Sequence, residues 1–329
     1  MSTNRWEKEI QLADASRTVE EVTEELRDWI AKRRRRGGVV GVSGGIDSAV
    51  TLALAARAFG PERVLAVLIP DRDSDPVSVS LGRLLAARLG VDVVEREITP
   101  VLTALGAYSA RDAAAAEVFP DYHPDRDRIR VEYLPDLNRE EAIARFSLTR
   151  VSTDGATETR YMPPGPYLRI VAATNLKQRA RMSTLYHEAE SRNRAVIGTS
   201  NRVEIEQGFF VKYGDGGADV FPLEHFYKSQ VYELAAELDV PAEIVARPPT
   251  TDTYSAEQTQ EEFFYGLPVR QTDVMWAAFL KEAPVEQIAA ETEMSPMAVK
   301  RLHAAFRRRL GPAAYLREAP IAAGTDGGR

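Results

Sequence analysis

The chain has 329 residues, 44% hydrophobic and 28% charged, which is enough for one or two domains with a large core. Its net charge of −7 disfavours a general nucleic-acid coat or a binder of anionic membranes. The sequence contains no cysteine, which excludes disulfides, cysteine-ligated metal sites and a thiol nucleophile. Because it also lacks a long apolar run and a signal peptide, we expect a cytoplasmic protein with neither membrane nor nucleic-acid partners.

The first third of the chain alternates between helical and extended patterns. Hydrophobic spacing predicts an amphipathic helix at 6–35, with a capping box at Thr18-Val-Glu-Glu21 and a solvated end at the four arginines 33–36. The pattern then predicts a strand at 38–42, a helix at 49–59, a strand at 64–69, a helix at 77–89 and a strand at 91–98. This alternation indicates an α/β fold with a doubly wound parallel sheet.

The rest of the chain divides into an interruption and a helical end. Many prolines at 107–166 predict an inserted irregular loop region, with one short helix near 139–147. A helix at 170–192, a strand at 195–198, a polar loop at 199–213 with a short helix, and a helix at 229–238 follow. C-terminal helices are expected at 271–282, 284–291 and 295–310. We predict a single domain over 1–312 and a flexible tail over 313–329.

The loop between the first strand and the next helix reads Gly41-Val-Ser-Gly-Gly-Ile-Asp-Ser48. Gly44 and Gly45 allow a sharp turn and close approach of a ligand to the backbone. Loop N–H groups and the N-terminus of the following helix suit an anion such as pyrophosphate, and Ser43 and Ser48 add hydroxyl donors. Asp47 would repel phosphate, so its carboxylate is better explained as a magnesium ligand. Two glycines alone would fit an ordinary strand-to-helix turn, but the whole string Ser-Gly-Gly-Ile-Asp-Ser after a buried strand is far more specific and disfavours that alternative.

The loop resembles that of the N-type ATP pyrophosphatases, which transfer AMP to a substrate and release pyrophosphate. Motifs further along the chain are similar to those of the ammonia-dependent NAD synthetases. They are Asn175-Leu-Lys-Gln-Arg-Ala-Arg-Met182, Val196-Ile-Gly-Thr-Ser-Asn201, the stretch from Gly208 to Asp219, and Pro249-Thr-Thr-Asp252. The resemblance covers roughly residues 20–98 and 170–312 and implies an adenine nucleotide alpha hydrolase-like, Rossmann-like fold with C-terminal helices.

The resemblance also implies roles for single residues. Gly41, Ser43, Gly44, Gly45, Asp47 and Ser48 would bind the phosphates of ATP, with Thr199, Lys228 and Thr250 as further ATP contacts. Asp47 and Glu204 would hold Mg²⁺, and Asp47 and Lys228 would be the catalytic residues. Arg179, Lys212, Asp215 and Asp219 would bind the acid. Each of these residues taken alone has a simpler explanation, such as a turn aspartate for Asp215 or a helix cap for Glu204.

The reaction implied is the ATP-dependent amidation of deamido-NAD through an acyl adenylate. ATP would be the co-substrate, ammonia the nitrogen donor, and AMP and pyrophosphate the products. The chain has no cysteine for a glutaminase, so free ammonia or a separate ammonia-supplying protein is expected. The family resemblance also implies a homodimer. Two alternatives stay open, namely amidation of another carboxylic acid by the same core and a nucleotide-binding regulator without turnover.

Several positions depart from the family pattern. Val211 precedes Lys212 where the family commonly has threonine, and Gln260 stands in place of a carboxylate. The family's C-terminal His-Lys pair falls on Phe306-Arg307. The loop Pro70-Asp-Arg-Asp-Ser-Asp75 is also more acidic than expected beside a nucleotide. Most of these departures concern recognition of the acid rather than of ATP.

Overall fold

The computed structural model describes residues 5–134, 145–248, 254–256 and 266–321. Its helices are α1 (Arg5–Glu9), α2 (Ala15–Lys32), α3 (Ile46–Phe59), α4 (Pro76–Leu89), α5 (Thr99–Ala104), α6 (Ala107–Val118), α7 (Pro164–Glu190), α8 (Arg202–Gln207), α9 (Lys228–Glu237), α10 (Ala242–Val245), α11 (Val269–Leu280), α12 (Val285–Thr292) and α13 (Pro296–Arg317). Its strands are β1 (Gly38–Gly41), β2 (Val64–Leu68), β3 (Asp92–Glu95), β4 (Asp127–Leu134), β5 (Arg145–Ser152), β6 (Thr157–Tyr161) and β7 (Ala195–Ile197).

A four-stranded parallel sheet forms the centre of the fold, in the order β3-β2-β1-β7. Val40 of β1 lies opposite Ala66 of β2 and Ile197 of β7. Successive strand residues face opposite sides of a sheet, so a sheet covered on both sides needs continuous apolar strands. The runs Gly38–Gly41 and Val64–Leu68 meet that requirement and are almost wholly buried. The predicted doubly wound sheet is confirmed.

Helices cover both faces of this sheet. On one face α2, α3, α4 and α9 pack around Val40, Ala66 and Leu68. On the other face Val39, Leu65 and Val67 pack against Met182 and Leu185 of α7. The long helix α7 therefore lies across the sheet, with Leu185 near the carboxyl end of β1.

The described residues of the segment 107–166 form mostly regular elements, so the prediction of an irregular loop is wrong for them. The segment contains α6 and an antiparallel sheet in the order β4-β5-β6. Ile129, Val131 and Leu148 alternate with polar residues and pack on α6 and α7, so the sheet has one buried face. The helix predicted near 139–147 is also wrong over 145–147, which belong to β5, and its other residues lie outside the described part of the chain.

Both ends of the chain differ from the predicted helices. The helix predicted at 6–35 is two helices, and Asp14 rather than Thr18 caps the second by accepting a hydrogen bond from Arg17 N (3.0 Å). Helix α13 runs past its predicted end at 310 to Arg317, with Pro312 inside it. Packing explains this, because fully buried Ala313 lies against Gly208 at the end of α8.

The C-terminal helices form their own core with α1. Trp6, Ile10, Trp276 and Phe306 are buried together there, and the ring of Phe306 meets that of Trp276 edge to face at 5.1 Å. Among the described helices, none combines the length and the apolar character that a membrane span requires.

Candidate active site

The loop from Gly41 to Ser48 connects β1 to α3 at the carboxyl edge of the parallel sheet. Gly44 has φ +75°, and a Cβ there would lie 2.6 Å from the carbonyl oxygen of Ser78. Only glycine meets both conditions without strain. The Ser48 hydroxyl accepts from Ser43 N (3.2 Å) and donates to Gly45 O (2.9 Å). This compact turn leaves the first N–H groups of the 14-residue helix α3 facing the region beyond the sheet edge.

Three charged side chains from three helices converge beside this loop. Asp47 lies in the first turn of α3, Glu204 in the first turn of α8, and Lys228 begins α9. Lys228 Nζ forms an ion pair with Asp47 Oδ2, and its side chain is only 5% exposed. Asn201 connects the carboxylates, since its Nδ2 donates to Asp47 Oδ1 (3.3 Å) and its backbone N donates to Glu204 Oε2 (3.0 Å).

Burial controls the protonation of this cluster. It raises the pKa of Glu204 to about 8, and the neighbouring charge of Asp47 acts in the same direction. Burial alone would lower the pKa of Lys228, but Asp47 and Glu204 outweigh it and raise that pKa. Lys228 is therefore a cation at neutral pH. At neutral pH the cluster therefore holds one ammonium group, one carboxylate and a largely protonated Glu204, and a cation that binds there would take the place of the Glu204 proton.

The chemistry of the two carboxylates fits a hard divalent cation. Carboxylate oxygens together with phosphate oxygens and water are the ligands that Mg²⁺ prefers. Across the described ranges, no cluster of three or more acidic or histidine side chains could enclose a metal. Asp47 and Glu204 would thus supply a partial shell, which is the usual arrangement where a nucleotide completes it.

A cavity of about 700 Å³ opens beside the loop. The end of β2 at Ile69 and Pro70 borders it, and α7 forms one wall from Tyr167 to Leu185. Helix α13 contributes Arg308, Arg309 and Ala313. The cavity lies outside the carboxyl ends of parallel strands, which is where open α/β sheets bind ligands.

Most residues predicted to bind ATP line this cavity. They are Gly41, Ser43, Gly45, Asp47, Ser48, Thr199 and Lys228, together with the predicted metal ligand Glu204. Gly44 forms the turn behind them. Thr250 and Gln260 lie outside the described residues. The structure therefore brings together the predicted phosphate and metal residues that it describes, and their roles stay predictions.

Of the four residues predicted to bind the acid, only Asp215 lines this cavity. Asp215 accepts from Val211 N (2.7 Å), and burial raises its pKa to about 6. Asp219 instead accepts from Tyr186 Oη (3.1 Å) and from Val196 N of β7 (2.8 Å). Arg179 Nε donates to Lys212 O (3.3 Å), so these two residues meet outside the cavity lining.

An ionic network that the sequence did not reveal neutralises the acidic loop after β2. Lys177 Nζ of α7 contacts Asp71 Oδ1 (3.1 Å) and Asp73 Oδ2 (2.7 Å). Arg181 reaches Asp71 Oδ2 (3.0 Å), and Arg111 of α6 reaches Asp73 Oδ2 (2.6 Å). These carboxylates attach the loop to two helices, so they do not oppose a nucleotide in the cavity. In the sequence, this network is indicated only by the spacing of Lys177 and Arg181, which lie four residues apart on α7.

The departure at the C-terminus also has a structural explanation. Phe306 is buried in the C-terminal core and does not reach the cavity. One helical turn further along, Arg308 and Arg309 line the cavity, and Arg309 Nη1 donates to Gln207 Oε1 (2.7 Å). Basic side chains on α13 are therefore available at the cavity, two and three residues beyond the position that the motif indicated.

The doubly wound sheet, the glycine loop and the cluster at its edge define an α/β protein of the adenine nucleotide alpha hydrolase-like fold. The model of the family described as NAD synthase matches residues 18–142 and 147–310. A relative from Rhizobium meliloti, named NH(3)-dependent NAD(+) synthetase, is 43% identical over 93% of this chain and 91% of its own length. One of the same name from Mesorhizobium japonicum is 41% identical over 94% and 96%. The chain therefore belongs to the NAD synthase family.

Solved structures agree at the level of the fold. The structure of NMN synthetase from Francisella tularensis has a TM-score of 0.65 with this chain, at 24% identity over 95% of this chain and 99% of its own. The structural match establishes the common architecture, and at this identity it does not extend to the substrate.

Proposed function

We propose that the chain is an ammonia-dependent NAD synthetase, a ligase that converts deamido-NAD to NAD with ATP and releases AMP and pyrophosphate. The names of the relatives at 41–43% identity support this assignment. The observation that carries it is the cluster of Asp47, Glu204 and Lys228 at the mouth of the glycine loop. This cluster combines a fixed cation with two metal-type ligands beside a phosphate-binding turn.

The loop would bind the triphosphate of ATP. Backbone N–H groups of the glycine loop beyond Ser43, and those at the N-terminus of α3, would surround the phosphates of ATP. Lys228 would add a point charge, and Thr199 and Thr250 would add hydroxyl donors. Lys228 is buried and paired, so its ammonium group is already in place before the nucleotide binds.

Asp47 and Glu204 would hold Mg²⁺. When bound, the ion supplies positive charge that stabilises the pyrophosphate leaving group. Burial raises the pKa of Glu204 and so opposes its carboxylate form. A bound cation would favour the carboxylate, so binding of the metal would release the Glu204 proton.

The chemistry would proceed in two displacements. A carboxylate oxygen of the nicotinate attacks the α-phosphorus of ATP, the bond from that phosphorus to the bridging oxygen breaks, and pyrophosphate leaves. Ammonia then attacks the acyl carbon, AMP leaves, and the nitrogen loses a proton to give the amide. Lys228 and the loop N–H groups stabilise charge in the first step, and the cavity walls orient the two substrates.

Ammonia would be the nitrogen donor. The sequence holds no cysteine, so this chain has no thiol with which to release ammonia from glutamine. Ammonia free in solution, or delivered by a separate protein, would then reach the acyl adenylate.

The acid would bind partly outside the cavity of one protomer. Asp215 lies in the cavity, whereas Arg179, Lys212 and Asp219 lie outside its lining. We propose a homodimer in which this outer region is completed by a second copy. The resemblance to the NAD synthetases implies such an assembly. Light scattering should give a mass near twice 36.5 kDa, and a monomer at micromolar concentration would contradict the homodimer.

An AMP-release assay tests the function. Purified protein receives ATP, MgCl₂, an ammonium salt and one carboxylic acid from a panel led by deamido-NAD and nicotinic acid mononucleotide. AMP and pyrophosphate should appear in equal amounts with deamido-NAD and at far lower rates with the others. Turnover with another acid but not with deamido-NAD would show that the same core amidates a different carboxylic acid. Nucleotide binding without turnover would indicate a nucleotide-binding regulator. Glutamine in place of ammonium should give no amide.

A further inference from the structure

Asn201 lies between β7 and α8 and is only 2% exposed. Its side-chain oxygen accepts from Val203 N (3.1 Å) and Glu204 N (3.2 Å), which caps α8. Glu204 returns the interaction by accepting from Asn201 N (3.0 Å), so the two residues form a reciprocal capping box. This arrangement fixes where the carboxylate of Glu204 lies.

The cap also determines what the other half of the amide contacts. Because Oδ1 is used at the helix N-terminus, Nδ2 is directed away from α8 and donates to Asp47 Oδ1 (3.3 Å). The second carboxylate oxygen of Asp47 is paired with Lys228. Both oxygens of Asp47 therefore have a donor, and its carboxylate plane is set from two helices at once.

We propose that Asn201 is a positioning residue, which holds Asp47 and Glu204 at a fixed separation so that the pair can accept a divalent cation with the nucleotide. The inference rests on the proposed function, from which the metal comes. An amide suits this position because it carries an acceptor and a donor together. Groups that orient metal ligands in this way commonly change metal affinity about 10- to 100-fold when they are removed.

The simpler explanation is that Asn201 only caps α8. Two substitutions separate the roles, since serine and aspartate are both good N-cap residues. Asn201→Ser keeps a cap acceptor, and its shorter side chain loses the contact with Asp47. Asn201→Asp keeps the cap and replaces the N–H donor by a negative oxygen beside Asp47. If Asn201 were only a cap, both variants would behave as wild type.

Metal binding without turnover gives the direct readout. Each protein is saturated with α,β-methylene-ATP, which cannot release pyrophosphate, and titrated with Mn²⁺ while free ion is followed by electron paramagnetic resonance. We expect Asn201→Ser to raise the dissociation constant of Mn²⁺ about 10-fold. Its melting temperature should stay within a few degrees of wild type. Asp14→Ala, which removes the remote cap of α2, is the matched control and should bind Mn²⁺ normally.

The outcomes distinguish this inference from the proposed function. Wild-type Mn²⁺ affinity in Asn201→Ser would overturn the positioning role and leave the proposed function standing. Failure of the wild-type protein to bind Mn²⁺ with the nucleotide would overturn the proposed metal site and this inference together. As a second measurement, Asn201→Ser should need about 10-fold more Mg²⁺ for half-maximal AMP release, with an unchanged maximal rate.

Discussion

At the scale of single residues, the candidate site depends on one buried lysine. Asp47 and Glu204 raise the pKa of Lys228, so this lysine stays charged although it is almost fully buried. A buried ammonium with fixed partners does not have to reorganise when negative charge develops on a leaving group. In the proposed reaction the loop N–H groups would stabilise the same charge.

Lys228→Met should remove this fixed charge. We expect kcat for AMP release to fall about 100- to 1,000-fold, which is typical for loss of one donor to a developing anion. Because buried Glu204 and half-buried Asp47 lose the cation beside them, melting curves recorded with Mg²⁺ and ATP show whether the variant is folded. Lys281→Met, at an exposed lysine paired with Glu9, is the control and should be fully active. A Lys228→Met enzyme with wild-type kcat would show that the lysine has no part in the chemistry.

The family resemblance assigned Glu204 and Lys228 to the same site as the glycine loop, and the structure brings these residues together, while their roles stay predictions. The sequence did not predict the contact of Asn201 with Asp47. In sequence Asn201 is an ordinary N-cap residue, and its side chain meets Asp47 only because the fold brings the start of α3 close to the start of α8. The same holds for Lys177, whose partners Asp71 and Asp73 are about a hundred positions away. Long-range ion pairs leave no periodic signal.

At the scale of elements, the inserted sheet shows how composition misled the prediction. Prolines and charges at 107–166 indicated a loop, yet Ile129 and Val131 alternate with charged residues as in any half-buried strand. Strands β1, β2 and β7 were predicted well because each is a short apolar run close to glycine or proline. How α13 continues through Pro312 depends on its packing against Gly208, which no local pattern contains.

Gly44→Ala tests the turn before α3. The left-handed φ costs about 1–3 kcal/mol for a residue with a Cβ, and here the Cβ would also meet Ser78 O. We expect ATP affinity, measured by calorimetry, to fall at least about 10-fold as the turn shifts. Gly155→Ala is the matched control, because Gly155 has φ +84° with no atom within 4 Å of a Cβ. Equal ATP affinity in both variants would contradict the role of the turn.

The contact between α9 and α11 should make stability depend on pH. Asp273 of α11 accepts from Ser229 N and Oγ (both 2.7 Å), and burial raises its pKa to about 6. The folded state therefore binds this proton more tightly than the unfolded state, whose pKa is about 3.9, and loses stability as pH rises from 4 to 6. Urea titrations should show the advantage of wild type over Asp273→Asn shrinking by about 1–3 kcal/mol across that range. A constant difference would contradict the raised pKa.

At the scale of the whole molecule, three layers meet at one cavity. The parallel sheet supplies the phosphate loop, α7 supplies a wall, and the C-terminal helices close the far side with Arg308 and Arg309. The carboxyl edge of the sheet could be predicted as the place for the ligand from strand order alone. The walls could not, because they come from segments far apart in sequence.

The central claim is that the acid is activated by AMP transfer. Deamido-NAD labelled with ¹⁸O in its nicotinate carboxylate is converted with ATP, Mg²⁺ and ammonia. The isotope content of AMP and of pyrophosphate is then measured by mass spectrometry. The account predicts one labelled oxygen in AMP and none in pyrophosphate, because the attacking oxygen stays on the α-phosphorus. Label in inorganic phosphate, with ADP as the nucleotide product, would contradict it.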